Sequence, residues 1–151
     1  MLIREAGIIR QGLPIIFATY HRASKEQIDI ICTSGCMSGL LSFAECLMTP
    51  IEYFESSKYS IIFKKGNIED FEGRIDEVIA FIVLDKDYRL EKYLHRSILP
   101  LLEKLLRKFT SRYNGSNFTE AKQFSSFRNT IDKIFGSGTL TLEEKVASLI
   151  A

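Results

Sequence analysis

Cysteine, proline and histidine are scarce in this chain, with three, three and two among 151 residues, and neither sign of charge prevails. Twenty Lys and Arg face nineteen Asp and Glu, a formal net charge of +1, which lacks the basic excess of a dedicated nucleic-acid binder. Cys32, Cys36 and Cys46 are odd in number and include no C-x-x-C pair. Cys32 and Cys36 would share a helix face, but a tetrahedral zinc site needs two further ligands, so the three read as buried thiols of a reducing compartment. The longest apolar run, Val78 to Leu84, is seven residues, whereas a membrane-spanning helix needs about 20. The first twenty residues carry Arg4, Glu5 and Arg10 and no small-residue cleavage site, which argues against a signal peptide and for a cytoplasmic protein. The phosphate-binding patterns G-x-x-x-x-G-K and G-x-G-x-x-G are missing, as are the hydrolytic patterns G-x-S-x-G and H-E-x-x-H. His21 and His95 have no nucleophile in a recognisable motif beside them, so the sequence implies neither catalysis nor a cofactor.

What is present is the material of one folded domain. With 46% hydrophobic and 26% charged residues, a chain of this length can bury roughly 70% of its unfolded surface without disulfides or a structural metal. Leu2–Arg10 and Pro14–Tyr20 read as a strand pair around a Gln11-Gly12 turn. Ser24-x-x-Gln27 is a capping box, and after it Ile28, Ile31, Cys32, Cys36, Leu40, Phe43 and Leu47 recur at helical spacing before Pro50. Within that helix Gly35-x-x-x-Gly39 predicts close approach to a sheet. Ile51–Glu55, Tyr59–Lys64 and Glu77–Leu84 read as three further strands, with a polar loop over Lys65–Asp76. Because Ser60–Phe63 and Val78–Leu84 do not alternate with polar residues, helices are expected on both faces of the sheet.

Asp85 and Asp87 sit where the last strand leads into a helix, a position for capping carboxylates or, less commonly, for a hard cation. The amphipathic segment that follows bears Leu90, Leu94, Ile98, Leu101, Leu105, Phe109 and Tyr113, and Pro100 inside it demands a kink or a break. Its polar side carries Lys92, Arg96, Lys104, Arg107, Lys108 and Arg112 against Glu91 and Glu103. This is a solvated face, or a surface for an acidic protein or an anionic membrane. Asn114-Gly115 closes the segment, Asn117-x-x-Glu120 is expected to cap another helix through Phe135, and Thr141-x-x-Glu144 a short terminal one. The triplets Asn114-Gly115-Ser116 and Asn117-Phe118-Thr119 would be glycosylation acceptors only in a secreted protein.

The order strand, strand, helix, three strands, helix, helix resembles the longin domain of the roadblock/longin superfamily. More specifically, Ile8–Ile16 (IIRQGLPII), Ser38–Ala44 (SGLLSFA) and Ile82–Asp87 (IVLDKD) are similar to stand-alone longin-like proteins of archaea. The resemblance implies an α+β, three-layer fold over residues 1–151. Its five-stranded antiparallel sheet would run in order 2-1-5-4-3 with helices on both faces, and residues 137–151 would form a short helical extension. It further implies a non-enzymatic interaction module that binds or regulates a Ras-like small GTPase as a homo- or heterodimer. Alternatives are a structural subunit of a trafficking or tethering assembly of longin or roadblock chains, and a small-ligand sensor. No catalytic, cofactor or metal residue is carried over. Two surfaces are the candidates for partners: the edge strand with Ile51, Tyr53 and Glu55, and the basic residues Arg107, Lys108 and Arg112. Peripheral contact with a membrane would use the same basic face.

Overall fold

The computed structural model of the chain describes residues 2–20, 35, 37–42 and 53–136. Strands β1 (Ile3–Arg10), β2 (Leu13–Thr19), β4 (Tyr59–Glu69) and β5 (Ile75–Asp85) make the body of an antiparallel sheet. The three-residue β3 (Tyr53–Glu55) borders β4, and the order is β2-β1-β5-β4-β3. Helical segments are α1 (37–42), α2 (Leu90–Tyr93), a π turn (Leu94–Ile98), α3 (Leu99–Tyr113), a 3₁₀ segment (Ala121–Phe127) and α4 (Arg128–Phe135). The fold is α+β. Among the described helices none is long and apolar enough to cross a membrane.

The unbroken apolar run of β5 is buried throughout, and its alternate residues serve two cores. Val78, Ala80, Ile82 and Leu84 face α3, α4 and the 3₁₀ segment, whereas Ile79, Phe81 and Val83 meet Ile9, Phe63 and the α1 residues Met37 and Leu41. At the centre of the first core Phe109, Tyr113, Phe124 and Phe127 pack with ring centroids 4.8–5.9 Å apart, mostly edge to face. The Gln11-Gly12 turn closes β1 on β2 with φ of 53° and 76°, the positive pair that suits the twist of a two-residue hairpin.

Several expectations are corrected. Lys65–Asp76 is mostly strand: β4 continues to Glu69 and β5 begins at Ile75, and the turn between them is held by Asp70. Its Oδ1 accepts from the amides of Glu72 and Arg74 at 2.9 and 2.8 Å. Gly35 and Gly39 do not face the sheet. Both are exposed, and a Cβ at either meets nothing within 4 Å, because the stripe that α1 buries runs through Met37 and Leu41 while Leu40 is 37% exposed. Asp85 caps no helix; it takes the Arg4 guanidinium on both oxygens, at 2.7 and 3.0 Å. Asn117 opens no α-helix either, since its Oδ1 accepts from the Thr119 amide and a 3₁₀ segment intervenes before α4. Of the expected strand Ile51–Glu55, Tyr53–Glu55 is the described part. Ile51, the Ser24 box, His21, the three cysteines and residues 137–151 lie outside the described residues.

The break required by Pro100 takes the form of the π turn. The Leu99 amide donates to the carbonyl of Leu94, five residues back, and Pro100 then occupies the first turn of α3, where its missing N–H costs nothing. The other end of α3 is tied to the sheet: Glu69 N–H donates to Asn114 Oδ1 at 2.8 Å, and Gly115 N–H to the Glu69 carbonyl at 2.7 Å.

Candidate interaction surfaces

α3 presents two opposite faces because its apolar residues recur every three or four positions. Leu101, Leu102, Leu105, Leu106, Phe109 and Tyr113 are buried against the sheet, and Glu103, Arg107, Lys108, Ser111 and Arg112 are exposed on the other side. Lys104, Arg107, Lys108, Ser111 and Arg112 line a shallow concavity of about 470 Å³. Among the described residues, Lys104, Arg107 and Lys108 form no ion pair, so their ammonium and guanidinium groups stand available to an anionic partner. Arg112 differs. Its guanidinium donates to Ser126 Oγ and lies 5.3 Å from the Tyr113 ring centroid, which ties it to the 3₁₀ segment. Ser111 was missed from sequence; its spacing of four from Arg107 and three from Lys108 was the available signal.

The β3 surface is smaller. Tyr53 is partly buried against the α3-side core, and Glu55 is exposed, 3.8 Å from Lys86 Nζ. β3 pairs with Ser60–Ile62, near the start of β4, whereas Leu106 of α3 lies over Gly66 and the end of α3 is bonded to Glu69. At about 3.3 Å per residue along β4, the β3 pairing and the anchored end of α3 are roughly 23 Å apart. By the same measure Gly66, which lies beneath Leu106 beside Arg107 and Lys108, is roughly 13 Å from Ile62, so the two candidate surfaces sit at different places along β4.

The acidic pair of the strand-to-helix junction is fully engaged by arginine. Asp87 Oδ1 and Oδ2 accept from the Arg89 guanidinium at 3.0 and 2.9 Å, and Oδ1 also accepts from the Arg89 amide at 2.8 Å. These bonds to Arg89 side chain and amide lower the Asp87 pKa to about 2. With Asp85 held by Arg4, neither carboxylate is arranged for a cation. Tyr20 is perturbed as well: burial, then its 2.7 Å donation to Asp132, raises its pKa well above the usual phenol value. That bond fastens the end of β2 to α4.

No protein-family model matches the chain, and no curated protein matches its sequence.

Proposed function

We propose that this chain is a longin-like, non-enzymatic interaction module that binds or regulates a Ras-like small GTPase and works as a homo- or heterodimer. The observation that carries this reading is the antiparallel order β2-β1-β5-β4-β3 with helical segments packed on both faces. That is the arrangement implied by the resemblance of Ile8–Ile16, Ser38–Ala44 and Ile82–Asp87 to longin-like proteins. The unpaired Lys104, Arg107 and Lys108 supply a surface suited to an acidic patch on the partner, where exposed charge governs encounter more than stability.

The test is a titration of the full chain against a panel of Ras-like GTPases, each loaded with GDP or with a non-hydrolysable GTP analogue. Saturable binding to one of them is expected. The double reversal Arg107→Glu with Lys108→Glu should weaken it by about tenfold and flatten its salt dependence, while circular dichroism stays unchanged. Arg112 is left intact because of its bond to Ser126. Absence of binding across the panel in both nucleotide states would overturn the reading, and capture of a second longin or roadblock chain instead would make the protein an assembly subunit.

A further inference from the structure

The sheet has two edges, β2 and β3, and among the described residues β2 is the longer. It runs for seven residues, Leu13-Pro14-Ile15-Ile16-Phe17-Ala18-Thr19, with no charged side chain, and among the described residues it pairs only with β1. Edge strands are usually blunted by lysine, by proline, by a bulge or by a covering element. Here Pro14 and a register shift opposite Ile8 and Ile9 occupy the first half, and Ile16–Thr19 carries neither device. The described part of the β3 edge, by contrast, is Tyr53–Glu55 and carries the Glu55–Lys86 pair.

The hydrogen-bonding phase of the outer side of β2 follows from the ladder with β1. Tyr20 N–H donates to the Arg4 carbonyl at 2.8 Å, and the register places Thr19 opposite Glu5, Ala18 opposite Ala6 and Phe17 opposite Gly7. Bonded and non-bonded pairs alternate in an antiparallel ladder. Tyr20, Ala18 and Ile16 therefore bond inward to β1, and Thr19 and Phe17 direct their N–H and C=O groups away from the sheet. Phe17 is also 36% exposed, and it lines a concavity of about 360 Å³ with Ile15, Ile16, Thr19 and Arg128.

We propose that the β2 edge is a self-association surface whose occupant is the β2 strand of a second copy, antiparallel about a two-fold axis at Ala18. In that register Phe17 faces Thr19 of the other copy, so outward groups meet outward groups and the two pairs exchange four backbone bonds. The self-match is what selects a second copy: an uncharged strand has no charge to repel its twin, and donors and acceptors two residues apart repeat at the same spacing on both sides. The two sheets then become one. Four bonds with their flanking side chains make a small contact, which sets the expected dissociation constant in the micromolar range. The proposal does not depend on any GTPase partner.

Sedimentation velocity of the full chain from about 5 to about 500 μM, with no other protein present, is the test. A concentration-dependent dimer is expected, and Phe17→Lys, which puts a charge on the edge without removing a bond to β1, should weaken it by at least about tenfold. Tyr53→Lys on the other edge should leave it unchanged. Hydrogen exchange of the unmodified chain is the second readout, with protection of the Phe17 and Thr19 amides rising with concentration. It decides the matter should the lysine variant fold poorly. A monomer at the highest concentration, a dimer broken by Tyr53→Lys and not by Phe17→Lys, or exchange at Phe17 and Thr19 independent of concentration would each overturn the proposal.

Discussion

Gly7 and Gly66 lie in the sheet, Gly35 and Gly39 in the first helix, and the two pairs have opposite surroundings. A Cβ at Gly7 would stand 2.5 Å from the Ile16 carbonyl oxygen and 2.7 Å from Phe17 Cβ, and one at Gly66 would stand 2.6 Å from Leu106 Cδ2. At Gly35 and Gly39 it would meet nothing within 4 Å. The spaced helical pair attracts the eye in the sequence, yet close approach occurs at the isolated strand glycines. A glycine in a strand is there because something leans on it, whereas a glycine on an exposed helical face carries only its entropic cost.

This contrast can be broken by alanine. The largest effect is expected at Gly7→Ala, where the obstacles are backbone and a Cβ that cannot rotate away. A loss of about 3 kcal/mol, measured by urea unfolding, is the expected outcome. Gly66→Ala should cost less, about 1–2 kcal/mol, because the far end of Leu106 can swing aside. A double-mutant cycle sharpens this: Leu106→Ala alone should cost about 2–4 kcal/mol, and in that background the penalty of Gly66→Ala should largely vanish. Gly39→Ala should move stability the other way, by about 0.5–1 kcal/mol, since helix propensity rises and no atom is displaced. A loss at Gly39 equal to that at Gly66 would erase the distinction. Smallest is the effect of a contact that solvent can replace, the Asp87–Arg89 pair. With its folded pKa lowered to about 2, the Asp87 carboxylate contributes fully above its ordinary value of about 3.9. That contribution fades as pH falls through about 2. Thermal midpoints of the native chain and of Asp87→Asn should therefore differ slightly at pH 6 and converge in strong acid.

The sequence betrayed those parts of the fold that depend on burial. Val78–Leu84 announced two covered faces because no polar residue interrupts it, and the two cores divide its side chains accordingly. Exposed strand was harder to see: Lys65–Glu69 carries mostly polar side chains, some of which pair across to β5, as Lys65 Nζ does with Glu77 at 3.0 Å, and such residues read as loop. For α1, neighbouring faces offered similar apolar content, Leu40 and Cys36 on one and Met37 and Leu41 on the other, so small residues could not decide the orientation. The basic face of α3 was legible from its spacing. The engagement of Arg112 was not, because Ser126 comes within reach only after the intervening turn has folded.

The π turn has a consequence for the direction in which α3 points its charges. Five residues occupy the turn of Leu94–Ile98, which is the mark of one residue added to an otherwise regular helix. Successive residues on an α-helix are separated by about 100° of rotation. Deleting a residue there, such as Arg96, would rewind the segment to ordinary pitch but turn everything after it by that angle. Leu102, Leu106 and Phe109 would leave the core, or the preceding Leu90 and Leu94 would. The extra residue therefore acts as an angular shim. It lets the segments before and after it bury their apolar residues in the same core, and it sets the bearing of Arg107 and Lys108 toward any protein that docks on them.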